Sequence, residues 1–479
     1  MTAPPDAVGP LLIVRAPEGR DPERRYVLDL VLGEWLGLPH ALEAGREPNL
    51  SIRMAGDPFD RALVMPDTLF AMPSEAWLTE RSLPRPPLPR VRMPGADAGS
   101  VAFGGIAPLP VLFGEEVADG PAWRKTASGL ALTVDIVGSV FFCLSRMEEI
   151  VRVDRDGHDR FPVAASVAHA EGFVGRALVD EYVDLLFAAL RTLWPGVERR
   201  STDFRLRLTH DIDRPFSAIG KPAWRIARSA AADLARRRDP WLALRRLRAV
   251  ADARSGRVDR DPFVTFDFLM TASERHGLHS TFYFLVGNDP ADADSRYDLG
   301  NAHFAPILRD IHARGHEIGL HASYSSHGSA ERTRAEATAL IEVCRSAGFD
   351  QPSWGVRQHY LRFANPATWL HQEAAGLSHD STIGFAEQVG FRSGTCREHP
   401  VFDLLGRRQL TLRERPLVVM DASLFGYMNL APEEAARRTS AVVDVCRRHR
   451  GDAVVLYHND TVAGARQQRQ YQELLEQLV

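Results

Sequence analysis

The C-terminal part of the chain alternates short apolar runs with longer segments in which apolar residues recur every three or four positions. The short runs are typical of buried strands, and the longer spacing is typical of amphipathic helices. The pattern predicts strands at residues 205–209, 280–286, 316–320, 353–357, 417–420 and 453–457. It predicts helices between them at 263–276, 304–314, 331–347, 366–375 and 432–448. This alternation favours parallel strands with helical crossovers, in an open sheet or a barrel.

The first 200 residues follow a less regular pattern. Helical spacing appears at 26–36, 136–151 and 172–193, and a short apolar run at 62–65 predicts a strand. No motif with recognisable chemistry occurs there. Because 479 residues exceed the length of a typical single domain, we predict a separate α/β accessory domain of unknown role at 1–200 and a second domain at 201–479.

A basic insertion at 221–260 interrupts the strand and helix alternation. It holds 12 basic and four acidic residues. Apolar residues at helical spacing predict two amphipathic helices that bury an apolar stripe and present a basic outer face; the stripe consists of Trp224, Ala227, Ala231, Leu234, Trp241, Leu244, Leu247 and Ala251. Two interpretations stay open: a solvated helical insertion, or a lid or docking face for an anionic membrane or a phosphorylated carrier.

The charge balance limits the class of partner. Lys and Arg number 58 against 62 Asp and Glu, so the chain has no general preference for nucleic acid. Four widely spaced cysteines suggest neither a zinc knuckle nor a disulfide framework, and the first residues show neither a signal peptide nor a membrane anchor. We therefore expect a cytoplasmic protein without a transmembrane segment. The oligomeric state stays open.

Polar residues follow four of the predicted strands. The segments are LTHDID at 208–213, GHEIGLH at 315–321, RQHY at 357–360 and LYHND at 456–460. Because β/α folds place their functional loops at the carboxyl ends of the strands, these side chains are expected at one face of the domain. Histidine and aspartate together suit metal binding and proton transfer.

These four segments, in this order, resemble the motifs of the polysaccharide deacetylase (NodB-homology) family. The resemblance covers about residues 204–465. It implies a deformed (β/α) barrel in the C-terminal half and a metal-dependent amide hydrolase. It further implies that Asp211 is the general base, that Arg357 holds this carboxylate ionised, and that His458 protonates the leaving nitrogen. Leu456 would line the acyl pocket.

Other residues are candidates for substrate binding. They are Tyr360 in the third motif, and Asp380 and Arg392, whose spacing fits a further motif of the family loosely. For Asp380 the alternative is a loop held by Asx-type turns. Asp421 follows the predicted strand at 417–420, and either contacts substrate or caps a turn or helix.

The chain departs from the family in its metal ligands. The second aspartate is displaced by one position to Asp213, an Asp-x-Asp pattern that resembles the branch that deformylates lipid-linked aminoarabinose. His321 is retained, but Ser325 stands where the second histidine is usual. Catalytic zinc usually has three protein ligands. We predict His359 as the third, with His327 and then His210 as alternatives.

The predicted activity is removal of an acetyl or formyl group from the nitrogen of a sugar. Zn is the expected metal, with Mn, Co, Ni or Mg as alternatives. A nucleotide-linked or polyprenyl-phosphate-linked precursor of a surface polysaccharide fits a chain with no evident secretion signal. Two alternatives remain. One is an amidohydrolase for a small non-sugar amide or imide, and the other is a catalytically inactive carbohydrate-binding relative that needs no metal.

Overall fold

The structure is a computed structural model. It describes residues 10–93, 108–115, 120–219, 221–235, 238–255, 257–286, 289–292 and 297–479. The chain forms two compact units. Unit 1 is Met1–Asp154, Val163–Asp203 and Ser393–Leu410, and unit 2 is Arg155–Pro162, Phe204–Arg392 and Thr411–Val479. The sequence pattern does not predict that 155–162 group with unit 2 or 393–410 with unit 1. The domain division at residue 200 stays a prediction.

Strands and helices alternate through much of the chain. The strands are β1 (Leu12–Ala16), β2 (His40–Ala44), β3 (Leu50–Met54), β4 (Ala62–Met65), β5 (Arg90–Arg92), β6 (Leu109–Pro110), β7 (Gly120–Pro121), β8 (Trp123–Thr126), β9 (Gly129–Leu132), β10 (Arg205–Ile212), β11 (Ser280–Phe284), β12 (Glu317–Ala322), β13 (Gly355–Gln358), β14 (His379–Asp380), β15 (His399–Asp403), β16 (Arg408–Glu414), β17 (Leu417–Met420) and β18 (Asp452–Leu456). The α-helices are α1 (Asp21–Leu28), α2 (Ile136–Leu144), α3 (Met147–Val151), α4 (Val167–Ala170), α5 (Leu178–Leu193), α6 (Ala223–Ala235), α7 (Pro240–Arg254), α8 (Phe266–Glu274), α9 (Phe304–Ala313), α10 (Ala330–Ser346), α11 (Ala367–Ala374), α12 (Pro432–Arg448) and α13 (Ala465–Leu478). Of the helices described, none combines the length and the apolar composition of a membrane-spanning segment.

Unit 1 is built on a mixed sheet with strand order β2-β1-β3-β4-β9-β8, and a smaller sheet has the order β6-β5-β7. Helix α2 is buried along its whole length because eight of its nine residues are apolar or glycine, and it belongs to the main core of this unit. The carboxylate of Asp135 caps α2 by accepting from the backbone N–H of Gly138 at 2.8 Å. Unit 1 is thus a mixed α/β unit.

The main sheet of unit 2 contains parallel strands in the order β16-β14-β13-β12-β11-β10-β18-β17. The six strands predicted from the apolar runs are confirmed, with ends that shift by a few residues. The five predicted helices are confirmed as α8 to α12. The sequence pattern does not predict β14, which has only two residues, or the largely polar β16.

The irregular segment after β14 connects β14 with β17, which are not neighbours in the strand order. The backbone N–H of Leu417 donates to the carbonyl of Ile383 at 3.1 Å, and that of Gly390 donates to the carbonyl of Val418 at 3.0 Å. These bonds connect the segment after β14 with the edge strand β17, so the parallel sheet curls round on itself. The α/β class and the curled sheet agree with the predicted deformed barrel.

The insertion forms the two predicted helices, α6 and α7, but their predicted orientation is wrong. The apolar stripe that we expected to be buried faces solvent, and the buried positions are Ile226, Ala230, Asp233, Leu242, Ala243, Arg246 and Ala249. Short alanine side chains allow the helices to approach closely. The buried carboxylate of Asp233 is paired with the guanidinium of Arg246 at 2.6 Å, which offsets the cost of burying either charge.

Asp261 holds together the two chain segments at the base of this hairpin. Its carboxylate accepts backbone N–H groups from Ser217 at 2.8 Å, Ala218 at 3.1 Å and Phe263 at 2.9 Å. It also accepts the hydroxyl of Ser217 at 3.0 Å. Because Asp261 is buried, removal of its side chain would leave these donors without their acceptor.

We expect Asp261→Ala to lower the free energy of unfolding by about 2 kcal/mol or more, because buried donors lose their acceptor. Chemical denaturation followed by circular dichroism measures the change. The exposed neighbour Asp259 gives the matched control, Asp259→Ala, which should leave stability unchanged. Equal stability of the two variants would contradict the assignment.

Candidate metal centre

The carboxyl ends of five parallel strands in unit 2 bring acidic and imidazole side chains together. The strands are β10, β12, β13, β17 and β18. At or just beyond their ends lie Asp211, Asp213, His321, Arg357, His359, Asp421 and His458. The four polar segments singled out in the sequence thus meet at one edge of the sheet.

Asp213, His321 and His359 form a group whose ligand atoms all lie within 4.8 Å of one another. His321 Nε2 is 3.1 Å from Asp213 Oδ1, and His359 Nε2 is 3.5 Å from Asp213 Oδ2. His321 Nε2 and Asp213 Oδ1 are buried and have no aligned hydrogen-bond partner among the described residues. Buried polar atoms in proteins normally have a partner, so these atoms suit a bound cation. Two imidazole nitrogens and one carboxylate are a donor set that zinc and similar divalent ions accept.

Both histidines present Nε2 to the centre of this group, and Nδ1 of each faces another acceptor. His321 Nδ1 lies 3.0 Å from the carbonyl oxygen of Arg357, which selects the tautomer with the proton on Nδ1. His359 Nδ1 lies 3.0 Å from Oδ2 of Asp292, a buried carboxylate, in an ion-pair contact that is not aligned as a hydrogen bond. A carboxylate behind a histidine is the usual support of a metal-binding imidazole.

Electrostatics within the group are dominated by opposed effects of burial and charge. Burial lowers the pKa of His359, but Asp213 and Asp292 outweigh it and raise this pKa to about 9. Burial raises the pKa of Asp213, but the charges of His359 and His458 and the contact with His321 hold it well below its usual range. The carboxylate of Asp213 is therefore ionised at neutral pH.

The two alternative third ligands lie outside this group. His210 Nδ1 contacts the carbonyl oxygen of Tyr457 at 2.9 Å, and its ring packs on Phe282. Burial lowers the pKa of His210 to about 4, so the ring is neutral. His327 Nε2 lies 3.5 Å from Oδ2 of Asp159. Of the three histidines predicted as candidate third ligands, His359 is the one that lies beside Asp213 and His321.

Asp211 is held by a buried arginine. Arg357 donates from Nη1 to Asp211 Oδ1 at 2.8 Å and to the hydroxyl of Thr209 at 2.9 Å. Its Nε donates to the carbonyl oxygen of Ser381 at 2.9 Å, and its Nη2 donates to the hydroxyl oxygen of Ser381 at 2.8 Å. Asp211 Oδ2 is left facing His321 Nε2 at 3.8 Å. One carboxylate oxygen is thus fixed by Arg357 while the other faces the candidate metal site.

His458 is held by Asp421. Its Nδ1 lies 2.6 Å from Asp421 Oδ1, and its backbone N–H donates to Asp421 Oδ2 at 2.9 Å. His458 Nε2 faces Asp213 Oδ2 at 3.6 Å. Burial lowers the pKa of His458, but the charges of Asp421 and Asp213 outweigh it and raise this pKa to about 10. The imidazole is a cation at neutral pH and can donate a proton from Nε2.

These groups line a cavity of about 160 Å³. Tyr360, a predicted substrate-binding residue, lines it together with Arg160 and Tyr427. Tyr360 and Leu361 both adopt left-handed backbone conformations, with φ of 60° and 55°. Non-glycine residues in this region cost of order 1 kcal/mol each and concentrate at functional sites. This tight turn follows β13 directly and presents His359 and Tyr360 to the same cavity.

Three other predicted substrate-binding residues do not line this cavity. Leu456 is fully buried in an apolar cluster, and Asp380 is fully buried and accepts the Thr382 hydroxyl at 2.5 Å. Arg392 is buried and donates to the carbonyl oxygen of Gly384 at 3.0 Å. These contacts place the three residues outside the lining of this cavity, and their part in substrate binding stays a prediction.

The sequence did not predict that Asp292 and Arg160 belong to the site. Asp292 lies in the connection after β11, and no sequence signal links it to His359. Arg160 lines the cavity from far upstream, and donates to the hydroxyl of Tyr427 at 3.0 Å and the carbonyl of Tyr360 at 3.1 Å. Asp421 was identified from its position at a strand end, but that position did not distinguish substrate contact from a turn or helix cap.

Known proteins resemble separate parts of the chain. Residues 12–195 match a family of unknown function (DUF7033). None of the curated proteins matches the sequence. A putative polysaccharide deacetylase from Mycobacterium smegmatis is similar in structure, with 17% identity over 58% of this chain and 85% of that chain and a TM-score of 0.38. A probable polysaccharide deacetylase from Pseudomonas aeruginosa PAO1 has 12% identity over 59% and 86%, with a TM-score of 0.36. A Puue allantoinase has 11% identity over 59% and 85%, also with a TM-score of 0.36. At TM-scores below 0.5, these likenesses carry no activity over to this chain.

We expect near-stoichiometric divalent metal in the wild-type protein purified without chelator, and its loss in Asp213→Ala, His321→Ala and His359→Ala, because each change removes one of three ligands. Elemental mass spectrometry measures the content. His327→Ala is the matched control and should retain the metal. Metal-free wild-type protein after soaking with Zn, Mn, Co or Ni would contradict the assignment.

The support of His359 by Asp292 gives a second prediction. We expect Asp292→Ala to weaken metal binding by about 10- to 100-fold, because the imidazole loses the carboxylate that orients it. Competition with a chromogenic chelator measures the affinity. Asp298→Ala, at an exposed position in the same connection, should leave it unchanged. Equal affinities in the two variants would mean that Asp292 has no part in the centre.

Proposed function

We propose that this protein is a metal-dependent hydrolase that removes a small acyl group from the nitrogen of a sugar. The observation that carries the proposal is one cavity in which the group Asp213, His321 and His359 lies between an arginine-held carboxylate, Asp211, and an aspartate-held imidazole, His458. The resemblance of the four sequence motifs to polysaccharide deacetylases supports the same reaction class.

Hydrolysis of an amide needs help at three points, because the carbonyl is a weak electrophile, water is a weak nucleophile and an amine anion is a poor leaving group. Asp213, His321 and His359 would hold a divalent cation, which would supply Lewis acidity to the reaction. The proton transfers fall to the chain's own side chains.

Asp211 accepts the proton of the attacking water in this proposal. Its Oδ1 is occupied by Arg357, and its Oδ2 faces the ligand group. Arg357 holds the carboxylate in one orientation through a charge-assisted hydrogen bond. The hydroxyl of Thr209 accepts from the same guanidinium nitrogen and further fixes the position of Arg357.

His458 delivers a proton to the departing nitrogen. The carboxylate of Asp421 on Nδ1 favours the imidazolium form and directs Nε2–H toward the cavity. Asp211 gains one proton and His458 loses one as the C–N bond breaks. Return of the proton from Asp211 to His458 through solvent restores both groups for the next turnover.

Two features of the cavities support the substrate class. The site cavity has apolar lining from Leu361, Met420 and Ala422, which suits a small acyl group such as acetyl or formyl. A second cavity of about 170 Å³ shares Asp213 and is lined by Arg214 and Lys221. A phosphate there would pair with Lys221 and share Arg214 with Asp460, its ion-pair partner at 2.6 Å, in a lining that also contains the carboxylates of Asp213 and Asp298. We extend the proposal to a nucleotide- or polyprenyl-phosphate-linked sugar precursor of a surface polysaccharide, handled in the cytoplasm.

We expect the metal-loaded protein to release acetate or formate from N-acylated amino sugars, and His458→Gln and Asp211→Asn each to lower kcat by about 10²- to 10⁴-fold because a proton-transfer group is lost. An enzyme-coupled acetate or formate assay measures the rate. His279→Gln, a histidine outside the cavity lining, is the control and should retain full activity.

The substrate panel tests the alternatives. It contains free N-acetylhexosamines, their nucleotide diphosphate conjugates, and small amides and cyclic imides. Hydrolysis of the small amides alone would replace the sugar with a non-sugar substrate. Sugar binding without hydrolysis in metal-loaded protein, unaffected by Asp211→Asn, would show a binding protein and overturn the proposed reaction.

A further inference from the structure

The helical hairpin α6–α7 exposes an unusual amount of apolar surface. Trp224 is 61% exposed and Trp241 is 73% exposed, with Leu234 at 57% and Leu247 at 49%. These four residues lie on the two helices of one hairpin, and each helix also buries a separate face. Exposed tryptophans and leucines grouped on one element usually mark an interaction surface.

Arginines border this apolar surface. Arg228 lies one helical turn after Trp224, and Arg245 and Arg248 lie one and two turns after Trp241, so they share the outward side of each helix. All three are exposed. The guanidinium of Arg225 lies 5.5 Å from the centre of the Trp224 ring.

The acidic residues of the hairpin do not offset these charges at the surface. Asp233 is buried and paired with Arg246, and Asp239 caps α7 by accepting from Leu242 N–H at 2.8 Å. Asp252 is paired with Arg257 at 3.1 Å. Among the described residues of 221–260, the exposed acidic residue is Asp259, and the outer side is positive because the exposed basic residues are Arg225, Arg228, Arg238, Arg245, Arg248, Arg254, Arg257 and Arg260.

We propose that the outward side of α6 and α7, defined by Trp224, Leu234, Trp241, Leu247 and the arginines beside them, binds the surface of an anionic lipid bilayer. Tryptophan and leucine fit the boundary between headgroups and acyl chains, while the long arginine side chains reach the lipid phosphates. A polyanion without an apolar layer would satisfy the arginines and leave the tryptophans in water. The proposal does not depend on the proposed hydrolysis.

The hairpin is anchored to unit 2 close to the candidate metal centre. Leu242 packs with Phe263 and Ala463, and Asp261 joins the two ends of the insertion. Lys221, just before α6, lines the cavity that also contains Asp213. The base of the hairpin therefore adjoins a cavity that reaches Asp213 of the candidate metal centre.

The test is co-sedimentation of the full-length protein with vesicles of phosphatidylcholine alone or mixed with phosphatidylglycerol. We expect binding to the mixed vesicles only, weakening as salt is added. Arg228→Gln/Arg245→Gln/Arg248→Gln should weaken it by about 100-fold, at roughly fivefold per charge. Trp224→Ala/Trp241→Ala should weaken it by at least about tenfold, and Trp224→Phe/Trp241→Phe should largely restore it.

Matched controls come from other exposed residues. Phe59→Ala removes an aromatic ring that is 75% exposed in unit 1, and Arg437→Gln/Arg438→Gln/Arg448→Gln removes three exposed charges from α12. Both should bind like the wild type, as should the catalytic variant His458→Gln. Absence of binding to the mixed vesicles, equal binding to neutral vesicles, or wild-type binding by both hairpin variants would each overturn the proposal. So would retention of a DNA duplex by protein that ignores the vesicles.

Discussion

The buried ion pair between Arg357 and Asp211 is the interaction on which the arrangement of the candidate site depends. Arg357 has no solvent exposure and Asp211 has 2%, so each charge relies on the other. The guanidinium also binds Thr209 on β10 and Ser381 after β14, and it lies over the ring of Tyr283 on β11. One side chain from β13 thereby fixes the ends of three other parts of the sheet. A carboxylate held this rigidly cannot turn away from the ligand group, which is the condition for a general base that acts at a fixed distance.

Negative charge is concentrated at this edge of the sheet. Asp211, Asp213, Asp292 and Asp421 are buried or nearly so, and Arg357 is the permanent cation that contacts one of them. The same carboxylates raise the pKa values of His359 and His458, because the protonated imidazoles carry positive charge that offsets the negative charge. A divalent cation between Asp213, His321 and His359 would supply it more compactly. The arrangement thus favours a bound cation for electrostatic as well as geometric reasons.

The sequence predicts the part of the fold that depends on local patterns. Short apolar runs identify the buried parallel strands, and strand ends identify Asp211, His321 and His458, since the place of a residue along a parallel strand determines the edge at which it emerges. Contacts between distant segments leave no such pattern, which is why Asp292 behind His359 and Arg160 at the cavity were missed. The hairpin shows a different limit. Its apolar periodicity predicts the two helices, but periodicity alone does not say which side is buried when alanine and a paired Asp233 and Arg246 can fill the interface instead.

The position of the third ligand follows from the pairing of β12 with β13. In the parallel register, His321 stands beside Arg357, and His359 follows Arg357 by two residues, in the turn directly after β13. Asp213 likewise lies two residues beyond Asp211. The ion pair between Arg357 and Asp211 therefore also brings His359 close to Asp213. With Ser325 in place of a histidine in the loop after β12, the metal group depends on β13, the strand that also carries the arginine. The proposed metal site and the orientation of the proposed base are consequently tied to one strand, so a shift of β13 would disturb both together.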